Sequence, residues 1–379
     1  MPSEGLASSE TPLQLPDRAK TYNRTRLIAG VSSSIVSFLL IVLLVCLDAT
    51  REIARLAWAI GSYRYLALLL FTAMVGLLQT LVTLPISFYS GYIVEHRYNL
   101  SNQTVGRWAW ERLKGSLVGL PLVAGIVMVV YYCMESFGDK WWLPVSVLLS
   151  FVTVLLARVV PVLFLPLFYK FDPLPDGPLK ERIAGLCARA GLKFDGIFIF
   201  DLSKNTKKAN AGFTGIGKSR RIILGDTLVH QFSPEEIETV FAHELGHYKH
   251  RHIMSGILTS VFSTFIGMFV TSLLYAWSVS TLGFAAITDL EALPLLAIWL
   301  SLFGLITAPI SNMISRRHER QADAYAAAVT NNGAAFAAAL RRLAATNLAD
   351  PEPHPLVEFL FYRHPSIAKR IQLLESTAS

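Results

Sequence analysis

Residues 233–252 read SPEEIETVFAHELGHYKHRH. Ser233 is an N-cap residue, Pro234 suits the first helical position, and Glu236 completes a capping box. The stretch is therefore expected to be helical from its start. In that register His243 and His247 lie one turn apart on one face. Two imidazoles so placed bind one Zn²⁺, and Glu244 beside them reaches a water at the metal without being a ligand. This is H-E-x-x-H on a helix. Two surface histidines at a membrane boundary would give the same five letters. The cap, the register and a suitable third ligand decide for the metal.

A catalytic zinc takes three protein ligands and keeps one position open. His250 is seven residues from His243 and nearly on the same face. Seven residues of helix span roughly 10 Å, whereas zinc bonds are about 2 Å, so those two cannot share one ion. His250 and His252 are expected to be packing or interface residues. The third ligand must come from another element, and the best one is residues 316–329, RRHERQADAYAAAV. Glu319 and Asp323 share a helical face there. We assign Glu319 as the ligand and Asp323 as the carboxylate that fixes a zinc histidine through its other ring nitrogen. His318 points about 100° away from Glu319 and is a poor alternative. Without the upstream motif, these carboxylates would read as charges balancing Arg316, Arg317 and Arg320.

Outward from this pair the chain is strongly apolar. Of 379 residues, 53% are hydrophobic and only 16% charged, against about 25% charged in a soluble domain. Six stretches reach bilayer length, at residues 27–47, 66–88, 117–134, 143–168, 257–282 and 292–314. The fold class expected is a mostly α, polytopic membrane protein of six spans, with a seventh left open, carrying a peptidase domain with a small β-sheet. Residues 1–25 are polar and aperiodic and read as a disordered tail. Residues 26–168 read as a four-span membrane domain, and 169–379 as the zinc domain with the last two spans. Lys/Arg bias puts the N-terminus, residues 169–256 and the C-terminal tail in the cytosol.

Within the soluble insertion, 178–190 reads as a helix, and 196–201 (GIFIFD) and 220–224 (RRIIL) as strands. KKANAGFTGIGKS between them reads as a possible edge strand with a Gly-rich turn. Gly215-Ile216-Gly217-Lys218 lacks the spacing of a phosphate loop. The net charge of +7 fits loops facing anionic lipid, and no nucleic-acid recognition module accompanies it. Cys46, Cys133 and Cys187 are scattered and odd in number, which excludes a disulfide framework.

Several stretches together resemble the integral-membrane CAAX prenyl protease 1 family of gluzincin metalloproteases. They are YIVEHRYNLSNQT with WERLKG, LPLFYKFDPLPDGPLKERI, NAGFTGIGKSRRIILGDTL, HELGHYKHRH, ERQADAYA and RHPSIAKRI. The resemblance covers roughly residues 85–375. It implies that His243, His247 and Glu319 are the ligands of one zinc ion and Glu244 the general base. It implies that Asn210 and Ala211 hold substrate backbone at the edge strand, and that His364 and Arg370 sit near the scissile carbonyl. It also implies helices around an intramembrane chamber with the metal at its cytosolic end. The family's eukaryotic members have seven spans, one more than counted here. The expected activity is zinc endopeptidase action near the C-terminus of prenylated or otherwise hydrophobic proteins, in a bacterial inner membrane or the endoplasmic reticulum. The alternatives are an HtpX-like quality-control protease and a metal-binding membrane scaffold without catalysis. Intact Glu244 counts against the last.

Overall fold

A computed structural model describes residues 15–191, 196–214 and 221–378. The first part is helical: α1 (Leu15–Cys46), α2 (Ala49–Ile60), α3 (Arg64–Arg97), α4 (Val105–Phe137) and α5 (Trp142–Val159). The second part holds β1 (Phe171–Pro173), α6 (Pro178–Arg189), β2 (Ile197–Phe200), β3 (Ala211–Thr214), β4 (Arg221–Gly225), α7 (Asp226–Gln231) and α8 (Pro234–Lys249). Then come α9 (His252–Thr281), α10 (Leu293–Thr330), α11 (Gly333–Asn347), α12 (Pro355–Phe361) and α13 (Ile367–Ala378).

Among the described residues, six helices are long and apolar enough to cross a membrane: α1, α3, α4, α5, α9 and α10. They coincide with the six stretches expected from hydropathy; α1, α3, α4 and α10 run well beyond them at one end, whereas α5 ends at Val159, nine residues short of the expected 168. Side chains such as Leu258, Phe262, Leu305 and Ile306 are 63–71% exposed. Apolar surface of that extent on helices of that length is what a bilayer covers.

Of the expected disordered tail, residues 1–14 lie outside the described residues. Residues 15–25 are the start of α1, not a disordered segment. Arg18 Nη2 donates to Tyr98 O at 3.1 Å, Tyr22 OH donates to Glu95 Oε1 at 2.6 Å, and Arg26 pairs with Glu95. These partners lie some seventy residues on, so nothing local in the sequence reveals them. Helix α2 lies in the connection between the first two spans. It buries Thr50, Ala54 and Ala57 along one face and is too short to span.

The described strands form a sheet of order β1-β2-β4-β3. β1 and β2 are antiparallel, β2 and β4 parallel, and β3 and β4 antiparallel, with Ala211 opposite Leu224. β3 is thus an edge strand, as expected. β1 escaped notice because three residues ending in Pro give no alternation; proline is tolerated there because the strand is an edge. The Gly-rich turn at 215–218 lies outside the described residues. The sheet packs on α6, α8 and α11 through Ile183, Leu186, Ile222, Leu224, Phe241, Leu245, Phe336 and Leu340, all buried.

α10 decides where the site sits. It runs unbroken for 38 residues, from the last apolar stretch through RRHERQADAYAAAV to Thr330. A residue in the apolar part and a ligand in the polar part therefore belong to one continuous helix, with Pro309 inside it.

Candidate active site

α8 starts with the expected capping box: Glu236 N donates to Ser233 Oγ, and Ser233 N donates to Glu236 Oε2. That fixes the helical register of the two histidines. His243 Nε2 and His247 Nε2 lie 3.2 Å apart. From α10, Glu319 places Oε2 3.3 Å from His243 Nε2 and Oε1 3.3 Å from His247 Nε2. Gly246 lets the two helices approach. A Cβ there would lie 2.9 Å from Ala322 Cα and 3.0 Å from Ala322 O, closer than a methyl group fits. Ala322 sits between Glu319 and Asp323, so this contact sets how near the carboxylates come to the histidines.

The outer ring nitrogens are also held. His243 Nδ1 lies 2.8 Å from Asp323 Oδ1. Arg370 donates from Nε to Asp323 Oδ2 at 2.8 Å and from Nη2 to Oδ1 at 2.6 Å. His247 Nδ1 lies 3.0 Å from His252 Nδ1, and His252 Nε2 lies 2.9 Å from Gln321 Oε1. The amide oxygen only accepts, so His252 Nε2–H donates to it. In the neutral ring, His252 Nδ1 then accepts from His247 Nδ1–H. Both metal-facing Nε2 atoms are left as lone pairs in these neutral tautomers.

Two lone pairs and a carboxylate facing one point at 3.2–3.3 Å repel one another unless a cation lies between them. Tetrahedral bonds of about 2.0–2.1 Å put neighbouring ligand atoms about 3.3 Å apart, which fits this triangle. Glu319 is 4% exposed, and its Oε2 has no well-aligned hydrogen bond, although His364 Nδ1 lies 2.8 Å away. The donor set and its orphaned oxygen therefore suit a metal ion. The metal-free centre takes a proton instead. Burial opposes charge on His243, but hydrogen bonds to Asp323 and Glu319 prevail and push it up to about 9.

Glu244 faces a cavity of ≈ 210 Å³ shared with Asn210, Ala211, His243, His364 and Arg370. Burial raises its carboxyl above the usual range, against the pull of His243 and His247. Apart from Asn347, the remaining walls are apolar, including Leu228, Val240, Phe336, Leu340 and Leu343. His364 is 63% exposed in its side chain. All nine residues expected at the site are thus brought within one cleft and its immediate support. His250 caps the end of α8, stacks on His252 and leaves the metal-facing side, as the distance argument required. His252, expected to be a packing or interface residue, is also the hydrogen-bond partner of His247. Gln321 carries no motif of its own in the sequence. It lies two residues from both Glu319 and Asp323, and that spacing was the one available hint.

The chain is similar to known proteins along most of its length. Residues 173–378 match the profile described as peptidase family M48. Residues 7–170 match one described as CAAX prenyl protease N-terminal, five membrane helices. Among the described residues of that segment, four helices reach spanning length, and α2 is the additional short one. The chain is 33% identical to the uncharacterized metalloprotease YhfN of Bacillus subtilis, over 89% of this chain and 80% of that one. It is 32% identical to CAAX prenyl protease 1 of Saccharomyces cerevisiae, over 81% and 72%. The crystal structure of S. mikatae Ste24p superposes with a TM-score of 0.87 at 28% identity, covering 98% of this chain and 92% of that one.

Proposed function

The chain belongs to peptidase family M48 as a multi-pass membrane metalloprotease of the CAAX prenyl protease 1 family, and on that premise we propose how its residues work and what it cuts. His243, His247 and Glu319 hold one zinc ion. When bound, zinc supplies Lewis-acid polarisation of the scissile carbonyl and acidifies the attacking water. Glu244 accepts the proton from that water and returns it to the leaving amine. Asp323, Arg370 and His252 orient the histidines. The substrate lies extended along the open edge of β3, with Asn210 and Ala211 meeting its backbone. His364 and Arg370 donate to the carbonyl oxygen as charge develops on it.

The substrate is a protein with a prenylated or otherwise hydrophobic C-terminal region, a reading that draws on the name of the Saccharomyces cerevisiae relative, CAAX prenyl protease 1. The observation that carries this reading is the continuity of α10. Ile306, 71% exposed on its apolar part, is thirteen residues from Glu319. At 1.5 Å per residue that is roughly 20 Å. A lipid chain in the bilayer and a peptide at β3 thus fit on one molecule. The active site faces the cytosol, and nucleic acid is not a partner.

The decisive experiment gives purified protein two peptides of one sequence, farnesylated and unmodified. Faster cleavage of the farnesylated one is expected. Equal cleavage of both, with cleavage of a destabilised membrane protein, would replace this reading by the quality-control one. For orientation, single cysteines at Ser203 and Ser280 should label from opposite sides with an impermeant reagent.

A further inference from the structure

The segment that leads into β3 is held by the membrane domain. Residues 100–102, just after α3, and residues 203–207 run side by side. Lys207 N and Thr206 Oγ1 both donate to Leu100 O, at 2.9 and 2.8 Å. Asn102 N donates to Asn205 O at 3.1 Å, and Asn102 Nδ2 to Ser203 O at 2.7 Å. Beneath this pairing lies a buried carboxylate. Glu95 is 8% exposed, yet it meets Arg26 and Tyr22 from α1, and Lys208. Lys208 Nζ lies 2.9 Å from Glu95 Oε2 and donates to Tyr22 OH at 2.8 Å.

Lys208 is the last residue before the cleft. Its carbonyl accepts from Thr227 Oγ1 at 2.8 Å. Ala209 exchanges two hydrogen bonds with the Asn347 side-chain amide, at 2.8 and 3.1 Å. Asn210 O accepts from Gly225 N at 2.8 Å. Three consecutive residues are therefore anchored, by the membrane domain, by α11 and by the sheet. A charge as buried as Glu95 is costly unless paired, and any separation of the two domains would leave it with one partner fewer.

The geometry points to Glu95 and Lys208 as positioning residues for hydrolysis: together they tie the N-terminal membrane helices to the edge strand and set where β3 meets the substrate backbone. This rests on the reading of β3 as the substrate edge. It does not involve the metal ligands, so its effect belongs on substrate binding. Displacing a binding strand weakens substrate and transition state alike, which raises KM and leaves kcat in place.

The test uses full-length protein and an internally quenched extended peptide that the wild type cleaves. Lys208→Met should raise KM about 10-fold, with kcat per metal-loaded molecule and zinc content close to wild type. Lys208→Arg, which keeps the charge, should restore most of the loss. Unchanged KM in Lys208→Met would overturn the proposal. So would failure of Lys208→Arg to rescue, or a loss that merely follows the folded or zinc-loaded fraction. If Lys208→Met does not accumulate, Thr206→Val removes the hydroxyl that donates to Leu100 O and accepts from Lys208 N at 3.2 Å, and is read by the same criteria. Asn210→Leu is measured alongside. If it impairs cleavage while Lys208→Met and Thr206→Val do not, the clamp alone fails. If Asn210→Leu is silent, the edge-strand reading fails and the clamp with it.

Discussion

Arg370 grips Asp323 with two parallel hydrogen bonds, and Asp323 Oδ1 in turn lies 2.8 Å from His243 Nδ1. Asp323 is 1% exposed, so this pairing is what makes its charge tolerable inside the protein. A lysine offers a point charge and cannot reproduce the fork. Arg370→Lys should weaken zinc binding about 10- to 100-fold, the usual cost of losing an outer partner of a metal histidine. Arg370→Ala should also destabilise the fold by roughly 3–5 kcal/mol, since it strands a buried carboxylate. Zinc competition with a chelator and thermal unfolding read the two effects separately. Wild-type affinity in Arg370→Lys would remove Arg370 from the support of the metal.

Glu319 and Glu244 should behave differently although both are carboxylates at one site. Glu319→Ala removes a corner of the ligand triangle, so the purified variant should lose zinc along with activity. Glu244→Gln should keep about one zinc per chain and the same melting temperature while hydrolysis is lost, because the amide cannot take a proton. Full zinc and full activity in Glu319→Ala would send the search for the third ligand elsewhere. Near-normal cleavage by zinc-loaded Glu244→Gln would remove it as the base.

The charge on His243 gives metal binding a pH dependence with a definite sign. In the metal-free protein this ring keeps its proton up to about 9, above the ordinary 6.5, so below that pH the incoming metal must expel it. Apparent affinity should therefore fall by about tenfold for each pH unit from 9 down to 7. The same bound proton stabilises the metal-free fold fully below 6.5, and that contribution is lost as pH rises through 9. Calorimetric titration in two buffers of different protonation enthalpy would count the released protons. A count near zero at pH 7 would show the ring already neutral.

Gly246 should be intolerant of a side chain. Gly246→Ala places its methyl against the Cα and carbonyl of Ala322, backbone atoms that cannot swing aside. The expected cost is about 1–3 kcal/mol of stability, as for other overpacked contacts. Because the same contact sets the distance from α8 to Glu319, zinc affinity should fall with it. A variant that melts and binds zinc like the wild type would show that the helices separate without consequence.

His252→Ala should lower zinc affinity about 10- to 100-fold, as loss of an outer partner does, while the ligand set itself is intact. Gln321→Leu should have a smaller effect in the same direction, because it frees His252 to adopt the other tautomer. Unchanged affinity in His252→Ala would return that residue to a packing role.

Much of this protein is written locally. Spanning helices follow from uninterrupted apolar runs, and α8 from its capping box. The pairing of His243 with His247, and of Glu319 with Asp323, follows from a four-residue helical repeat. His250 could be set aside from the length of a helix alone. These features depend on chain neighbours, whose geometry the backbone fixes. What the tertiary structure decided lies between residues far apart in sequence. His252 reads as one more histidine until α10 brings Gln321 within 2.9 Å, and residues 15–25 read as a polar tail until Glu95 is buried against them. Lys208 belongs to a run of surface-like charges until the end of α3 is folded over it. In each case the partner lies about 70 to 190 residues away, so the polar pattern of the local sequence is the same whether the group is solvated or buried. Only packing removes the water, and only then does a hydrogen bond or a charge have to find its partner within the protein.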